Sequence, residues 1–540
     1  MTTMQTAVAT PNRYQGILVD FLVALIFLLL FAVGVHKFQY RDAFAESDLY
    51  RVLIGLLDGA ISGTGIASSL HYDDTFGFGY LAAFYHLVSP ATLRDPDKLT
   101  DLINQVGFYA LLFGLLFFWC AAALIHGTRA ATVALVVFGL GPMILELGTS
   151  GHPVIVMFAL LCAGATLLFL PLTGWAALLA AMAGGAFLLA GLMTRVDIIF
   201  AFPWLVLARA DTCTPRGFIA SCIRRSITPA AVIVVFVMLQ HLIVPDQIGS
   251  VVGEYLSKYF SLSQIVIGLI YMALGCGIAT AAAGIVALLW MTWRVWPGAH
   301  GRGRGLLLGD ILGPASLVIP ELVFFVASSG PTRHFMLTYA GFSIVLAVAL
   351  TGALALSRWA ALGVVLLLAG ASQVLAEVVR VPLLAANAAT SPYRPVWSGY
   401  QTASLAPVGF VWQRHGALSQ RRAILNAEGN RLATPCQSQT IVLTNDETAQ
   451  FASRLYAGGI PVQARREGFD DIRATVEGKV ILYVAKPPRW PGDAAEQILV
   501  DPTYDDYKLA EDPYSISKYD AALIPPDRRA RFGCKRSASP

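Results

Sequence analysis

Apolar segments alternate with short polar loops along the first 380 residues of the chain. Ten of them approach the length of about 20 residues that a helix needs to cross a bilayer core of about 30 Å. They are 17–35, 105–125, 131–147, 153–170, 175–193, 227–244, 263–290, 306–327, 335–356 and 359–379. An eleventh, 198–208, is shorter and contains a proline, so we expect it to be oblique or to span only part of the bilayer. The pattern predicts a polytopic α-helical membrane domain of about eleven transmembrane helices over residues 1–380.

The remaining residues, 381–540, have the pattern of a soluble α/β domain. Buried strands are predicted at 440–444, 460–467 and 480–485, and a helix is predicted at 447–459 with Asp446 as its N-cap. After about residue 487 the tail is rich in Pro, Asp and Tyr and is predicted to be irregular. No glycine-rich phosphate loop follows the first strand, which argues against nucleotide binding.

Composition separates the same two parts. Charged residues make up 13% of the chain, about half the usual share of about 25% in a soluble protein. Of the 72 charged residues, 35 lie in 381–540 and 37 in 1–380. The mean hydropathy is +0.63. A net charge of +4 is too small to imply a nucleic-acid partner, and the apolar part needs a lipid bilayer as its solvent.

Basic residues in the short loops predict the orientation of the membrane domain. With the N-terminus inside, the inner loops hold ten arginines and the short outer loops hold Arg195, Lys258 and Arg333. Eleven crossings then place the domain 381–540 outside, which favours a bacterial inner-membrane protein with a periplasmic C-terminal domain. Cys436 and Cys534 are the two cysteines of that domain. An oxidising compartment would permit a disulfide between them, and the sequence leaves this open.

Ionisable residues near the membrane segments concentrate at the predicted outer ends. Such residues are expensive inside a bilayer and commonly mark function. At the outer ends lie Glu146, His152, Arg195, Asp197, His241, Glu321, Arg333, His334, Glu377 and Arg380. In the inner half we find almost no embedded group except Asp20. The distribution predicts a cavity that opens outward, although snorkelling at helix ends would explain any single residue.

The first outer loop, 36–104, holds the main acidic candidates. Glu46 and Asp48 stand just before an amphipathic segment, LYRVLIGLLDGAI, that we expect to lie on the membrane surface. His71, Asp73 and Asp74 follow further along the same loop. In an exposed loop such residues are often merely solvated, so their spacing alone does not establish a site.

The architecture resembles the GT-C superfamily of membrane glycosyltransferases, in particular the protein O-mannosyltransferases and the bacterial aminoarabinose transferases of lipid A. Glu46-Ser47-Asp48 matches the modified acidic motif of that superfamily. Gly330-Pro331-Thr332-Arg333-His334-Phe335 is similar to its Pro-Arg-Tyr/His-Phe turn, and Gly151-His152-Pro153 lies in an outer loop that often carries polar site residues. The Trp-Trp-Asp motif of oligosaccharyltransferases and the Lys-Pro-Pro-Leu signature of aminoarabinose transferases are absent from the sequence. The second absence leaves the subfamily open.

The resemblance implies transfer of a sugar from a polyprenyl phosphate to an acceptor hydroxyl. Asp48 would be the general base, with Glu46 as orienter or as ligand of a divalent cation such as Mg²⁺ or Mn²⁺. Arg333 would stabilise the departing phosphate. The further substrate-binding candidates are His334, His152, Arg195, His71, Asp73, Asp74 and Glu321. Glu321 follows Pro320, so it would either line the cavity or bind backbone groups that the proline leaves free.

Three other classes of protein stay in view. A transporter or flippase would show inverted repeats with broken helices in corresponding positions, and none is evident in the sequence. A glycan polymerase or ligase would carry its dominant outer loop late in the membrane domain, whereas here it comes first. A scaffold built around the soluble tail would leave the one-sided polar residues unexplained.

Overall fold

The structure of the protein, a computed structural model, describes residues 11–39, 87, 89, 96–147, 152–208, 214–243, 262–295, 304–327, 335–390, 440–443, 480–484 and 516–518. The chain divides into two compact units. One comprises residues 1–37, 107–148 and 153–377, and the other comprises 38–106, 149–152 and 378–540.

The described part of the chain is mostly helical. Its α-helices are α1 Pro11–Gln39, α2 Pro96–His126, α3 Thr128–Gly139, α4 Pro142–Leu147, α5 Pro153–Phe169, α6 Gly174–Thr194, α7 Phe202–Leu207, α8 Pro215–Ile243, α9 Leu262–Cys276, α10 Ile278–Val295, α11 Arg304–Ala327, α12 Met336–Val348 and α13 Arg358–Thr390. A 3-10 helix, Val196–Ala201, joins α6 to α7, and a π-helical turn, Ala349–Ala353, follows α12.

Six helices in the described ranges are long and apolar enough to cross a membrane, which makes this a multi-pass membrane protein. They are 14–35, 101–126, 174–194, 216–239, 336–353 and 358–375. The segment Val196–Leu207 is shorter. Its 3-10 and α-helical turns rise only about 21 Å together, less than a bilayer core. The count of eleven spans predicted from the sequence stays a prediction.

One predicted span differs in shape. The segment 263–290 was expected to be a single helix, but the structure has α9 and α10, bent by 100° at a break. Gly277 makes the break with a φ of +83°, a conformation that other residues rarely adopt. The N–H of Thr280 donates to Ser372 Oγ at 3.2 Å, so α13 supplies the cap at the start of α10.

Helix α12 forms the centre of the membrane unit. All thirteen of its residues, Met336–Val348, are buried, and it packs against α3, α10 and α11. The Tyr339 hydroxyl donates a hydrogen bond to the carbonyl oxygen of Val137 in α3 at 2.5 Å. By contrast, α1, α8 and α13 each bury only 17% of their apolar window, so their outer faces are left for lipid.

Two polar pairs, one buried and one partly buried, lie at the helix ends predicted to be inner. Asp20 Oδ1 in α1 forms an ion pair with Arg358 Nη1 in α13 at 3.1 Å, and Thr128 donates to Asp20 Oδ2 at 2.8 Å. His126 Nδ1 lies 2.8 Å from Asp310 Oδ1. Besides Asp20, which the sequence singles out, the groups at these ends thus include His126, whose side chain is 2% exposed, and Asp310, which is 31% exposed. The contact between His126 and Asp310 joins α2 to α11. It could not be predicted from either segment alone.

The second unit contains a three-stranded sheet. Strand β1, Thr440–Leu443, is parallel to β2, Val480–Val484, with Thr440 opposite Val480. Strand β3, Ile516–Lys518, pairs antiparallel to β2. The structure thus has strands within the predicted 440–444 and 480–485, and it has a strand in the tail that was predicted to be irregular. The predicted strand 460–467 and helix 447–459 lie outside the described residues, so the α/β class stays a prediction.

Candidate functional site

A polar cluster occupies the end of the membrane unit where α6 and α11 finish and α12 begins. Helix α6 ends at Thr194. The next residue, Arg195, has an extended backbone with a φ of −156°. The 3-10 helix that follows carries Asp197 in its first turn. Glu321 comes from the last third of α11, and Thr338 from the first turn of α12. Three separate chain segments therefore bring polar groups to one region.

Arg195 and Asp197 form a buried ion pair. Both Nη2 and Nε of Arg195 donate to Asp197 Oδ2, at 2.6 and 3.0 Å. The two side chains are 11% and 7% exposed. Because removing two charges from water is costly, such a pair is stable only with close geometry of this kind. Asp197 also lies at the start of a helical turn, where a negative charge is favoured by the backbone dipoles.

Glu321 binds the N-terminus of a neighbouring helix. Its side chain is buried, with the residue 2% exposed. Oε2 accepts a hydrogen bond from the backbone N–H of Thr338 at 2.5 Å, and the N–H of Leu337 also interacts with this carboxylate. The carboxylate of Asp197 is near enough to interact electrostatically with it. The groups that Glu321 binds therefore belong to α12, rather than to its own helix at Pro320.

Aromatic rings pack together on the elements that carry these groups. Phe200 of the 3-10 helix contacts Phe324 of α11 with ring centroids 5.1 Å apart, and Phe325 meets Phe335 at 6.2 Å. Phe335 is fully buried. Electrostatic interactions are stronger where the surroundings are apolar, so the charges of this cluster act on one another and on any bound anion more strongly than they would in water.

The structure describes three of the ten predicted site residues. Arg195 and Glu321 belong to the cluster above, and they are brought together through Asp197. His152, which precedes α5, is 2% exposed and belongs to the second unit. The other seven lie outside the described residues: Glu46, Asp48, His71, Asp73, Asp74, Arg333 and His334. Among the further ionisable residues predicted at the outer ends, His241 lies on α8 and is exposed.

No group of three metal-ligating side chains converges among the described residues. The predicted cation ligands, Glu46 and Asp48, are not among them, so the expected divalent cation stays a prediction. Cys436 and Cys534 also lie outside the described ranges.

Sequence reasoning did not assign a role to Asp197, Thr338 or Phe335. Asp197 stands two residues after Arg195. The opposite charges at this short spacing, just after the end of α6, were the available indication of an ion pair. Thr338 is a lone hydroxyl residue in an apolar stretch. Nothing in its spacing from Glu321 indicates that the two helices meet at that point.

The sequence matches no protein-family model and no curated protein. The structure is similar to the crystal structure of ArnT from Cupriavidus metallidurans bound to undecaprenyl phosphate. The TM-score is 0.55 at 14% identity, covering 94% of this chain and 99% of that one. The structure of the oligosaccharyltransferase AglB from Archaeoglobus fulgidus, in complex with an inhibitory peptide and a dolichol-phosphate, gives a TM-score of 0.43 at 12% identity, covering 82% and 64% of the two chains.

The similarity to ArnT extends over nearly the whole of both chains, so it concerns the complete architecture and not one bundle of helices. The chain therefore has the fold of ArnT. This confirms, at the level of the fold, the resemblance that the order of helices indicates. The acidic loop motif lies outside the described residues and stays a prediction.

Proposed function

We propose that the protein is an integral membrane glycosyltransferase that moves a single sugar from a polyprenyl-phosphate donor to an acceptor hydroxyl. The observation that carries this proposal is the fold shared with ArnT, a protein crystallised with undecaprenyl phosphate, over 94% of this chain. The multi-pass membrane domain agrees with a donor that reaches the site sideways through the bilayer. The acceptor is an envelope glycan, lipid or protein.

The reaction needs a base and a stabilised leaving group. Asp48 takes the proton of the acceptor hydroxyl as this attacks the anomeric carbon, and Glu46 orients it or holds a divalent cation. A direct attack displaces polyprenyl phosphate with inversion at the anomeric carbon. Arg333, His334, His152 and Arg195 offset the negative charge that the phosphate gains. Asp73, Asp74 and His71 contact the sugar or the cation.

Burial of the Arg195–Asp197 pair supports a site on this end of the membrane unit. Ionisable groups are expensive at membrane depth and are kept there mostly for function. In the proposed topology this end faces the periplasm, the N-terminus is cytoplasmic, and residues 381–540 form a periplasmic domain of a bacterial inner-membrane protein.

One observation favours a second function, a transporter or flippase of a lipid-linked substrate. The break of 100° between α9 and α10 is a discontinuous helix of the kind that lines transport sites. Transporters place such breaks in corresponding positions of two repeats, and the described ranges contain one bent pair. A glycan polymerase or ligase ranks below both, since the long outer loop comes first in the chain.

The test is transfer by the purified, full-length protein. The protein is reconstituted in vesicles with a panel of radiolabelled polyprenyl-phosphate sugars and an envelope extract of its host. The proposal predicts that label moves into an acceptor and that the product has the opposite anomeric configuration to the donor. If no donor of a complete panel is consumed while the vesicles move the lipid or its headgroup across the bilayer, the transporter function replaces the proposed one.

A further inference from the structure

We propose that Glu321 is a positioning residue: its carboxylate caps α12 from α11 and thereby fixes the segment that carries Arg333 and His334. The inference rests on the proposed function, because it gives Glu321 a role in holding the phosphate-binding turn. It differs from direct substrate binding, in which the charge of Glu321 would itself contact the donor.

Among the described residues, none in the segment that begins α12 caps its first turn. The N-cap residue is Phe335, which makes no side-chain hydrogen bond to the helix, and the first turn contains no acidic residue. The first N–H groups of a helix have no partner within it, and leaving them unpaired in an apolar interior costs free energy. All thirteen residues of α12 are buried, so water does not relieve this need.

Glu321 supplies the missing acceptor. Its Oε2 lies 2.5 Å from the N of Thr338, which is the third residue of α12, and the N–H of Leu337 interacts with the same carboxylate. An N-cap side chain normally binds these same two or three donors. The negative charge is also favoured beside the positive end of a helix dipole. A residue of another helix thus does the work of an N-cap.

Further contacts hold the same pair of helices together. The Phe325 ring, one turn after Glu321 in α11, packs edge-on against Phe335. Gly341 in α12 faces Val318 and Pro314 of α11 so closely that no Cβ fits at that position. The carboxylate therefore acts on a helix end whose distance and rotation are already restricted by packing.

The cap bears on the proposed phosphate-binding turn through the covalent chain. Arg333 is two residues before Phe335, and two residues of extended chain span at most about 7 Å. Because the chain is covalent, a displacement of the first turn of α12 also displaces the point to which Arg333 and His334 are attached.

The cap itself is tested without any substrate, by hydrogen–deuterium exchange of the full-length protein in lipid nanodiscs. Glu321→Ala removes the acceptor, and the peptide covering 336–340 should exchange at least about tenfold faster, as expected for one lost cap. Glu321→Gln keeps an acceptor oxygen and should exchange like the wild type. Ser316→Ala is the matched control, because Ser316 is a buried residue of the same helix that bonds only within α11, to Gly313.

Thr338→Pro breaks the same hydrogen bond from the other side. Proline lacks the N–H and is tolerated in the first turn of a helix, so this variant leaves Glu321 intact. It should speed exchange in the same peptide as Glu321→Ala does. If one of the two variants does not fold, the other still tests the cap.

Positioning is tested by the binding of undecaprenyl phosphate to the same proteins. Glu321→Ala should weaken binding about tenfold, and Glu321→Gln should restore most of the affinity. In the background of Arg333→Ala, which itself weakens binding, Glu321→Ala should add less than about twofold, because residues that act through one another are not additive.

The outcomes are distinct. Equal losses of binding for Glu321→Gln and Glu321→Ala would show that the charge contacts the ligand, which overturns the positioning role. Unchanged exchange of 336–340 in Glu321→Ala and Thr338→Pro would overturn the cap. If undecaprenyl phosphate does not bind the wild type, the proposed function fails, whereas faster exchange would still establish the cap. If it binds and Arg333→Ala binds equally well, the cap has no phosphate-binding turn to position and the inference is contradicted.

Discussion

The guanidinium of Arg195 donates two hydrogen bonds to a single carboxylate oxygen of Asp197, 2.6 Å from Nη2 and 3.0 Å from Nε. The pair is buried where α6 gives way to a 3-10 helix. The two charged residues are two positions apart in the sequence. Their contact therefore holds the backbone between α6 and the 3-10 helix in one conformation.

Removing one member of this pair should destabilise the protein more than removing both. Asp197→Ala leaves a buried guanidinium without its carboxylate, at a cost of about 3–5 kcal/mol. The double variant Arg195→Met with Asp197→Ala should recover part of this loss. Thermal unfolding in detergent measures both. A double variant less stable than either single one would contradict the prediction.

The Asp20–Arg358 ion pair should couple the first helix of the membrane unit to α13. We expect a double-mutant cycle of Asp20→Asn and Arg358→Gln to give a coupling free energy of about 0.5–3 kcal/mol, since the side chains are largely buried. Thermal unfolding of the four proteins provides the cycle. Strictly additive effects would show that the 3.1 Å contact does not contribute to stability.

Close helix packing at Gly268 should make this position intolerant of a side chain. A Cβ there would lie 2.6 Å from the carbonyl oxygen of Val326 and 2.7 Å from its Cα, both backbone atoms that cannot rotate away. Gly268→Ala should therefore cost about 1–3 kcal/mol or more. The matched control is Gly363→Ala, a helical glycine with nothing within 4 Å. There the change should be neutral or stabilising by about 0.5–1 kcal/mol. Equal stability of the two variants would refute the prediction.

The orientation is open to a direct test with alkaline phosphatase, which is active only where its disulfides form. A fusion after Pro540 should be active in a bacterial host, and an insertion after Gly298, in a predicted inner loop, should be inactive. The opposite result at either site would reverse the proposed topology.

Much of the membrane architecture was predictable because it depends on the length and hydropathy of single segments. Six of the predicted spans have helices of sufficient length, and the predicted order of helices agrees with the fold that the chain shares with ArnT. The break at Gly277 was not predictable from its apolar surroundings, because a glycine in an apolar run is compatible with a continuous helix. Strand β3 is three residues long and offers no periodicity.

The candidate site was predictable only in part. Charged residues in apolar segments singled out Arg195 and Glu321. Their partners depend on how helices meet in space: Thr338 binds Glu321 from another helix, just as Asp20 meets Arg358 from a helix far along the chain. The Arg195–Asp197 pair is local, but it depends on the end of α6 at Thr194 and on the 3-10 helix that begins at Val196.

Loss of the base is the most direct test of the central claim. In the reconstituted transfer assay, Asp48→Asn keeps the size of the side chain and removes its capacity to accept a proton. Asp58→Asn is the matched control, since Asp58 lies in the same loop, 36–104, and has no proposed role. We predict that the wild type and Asp58→Asn transfer label at similar rates and that Asp48→Asn is slower by about 100-fold or more. Equal transfer by a normally folded Asp48→Asn would contradict the account of the active site.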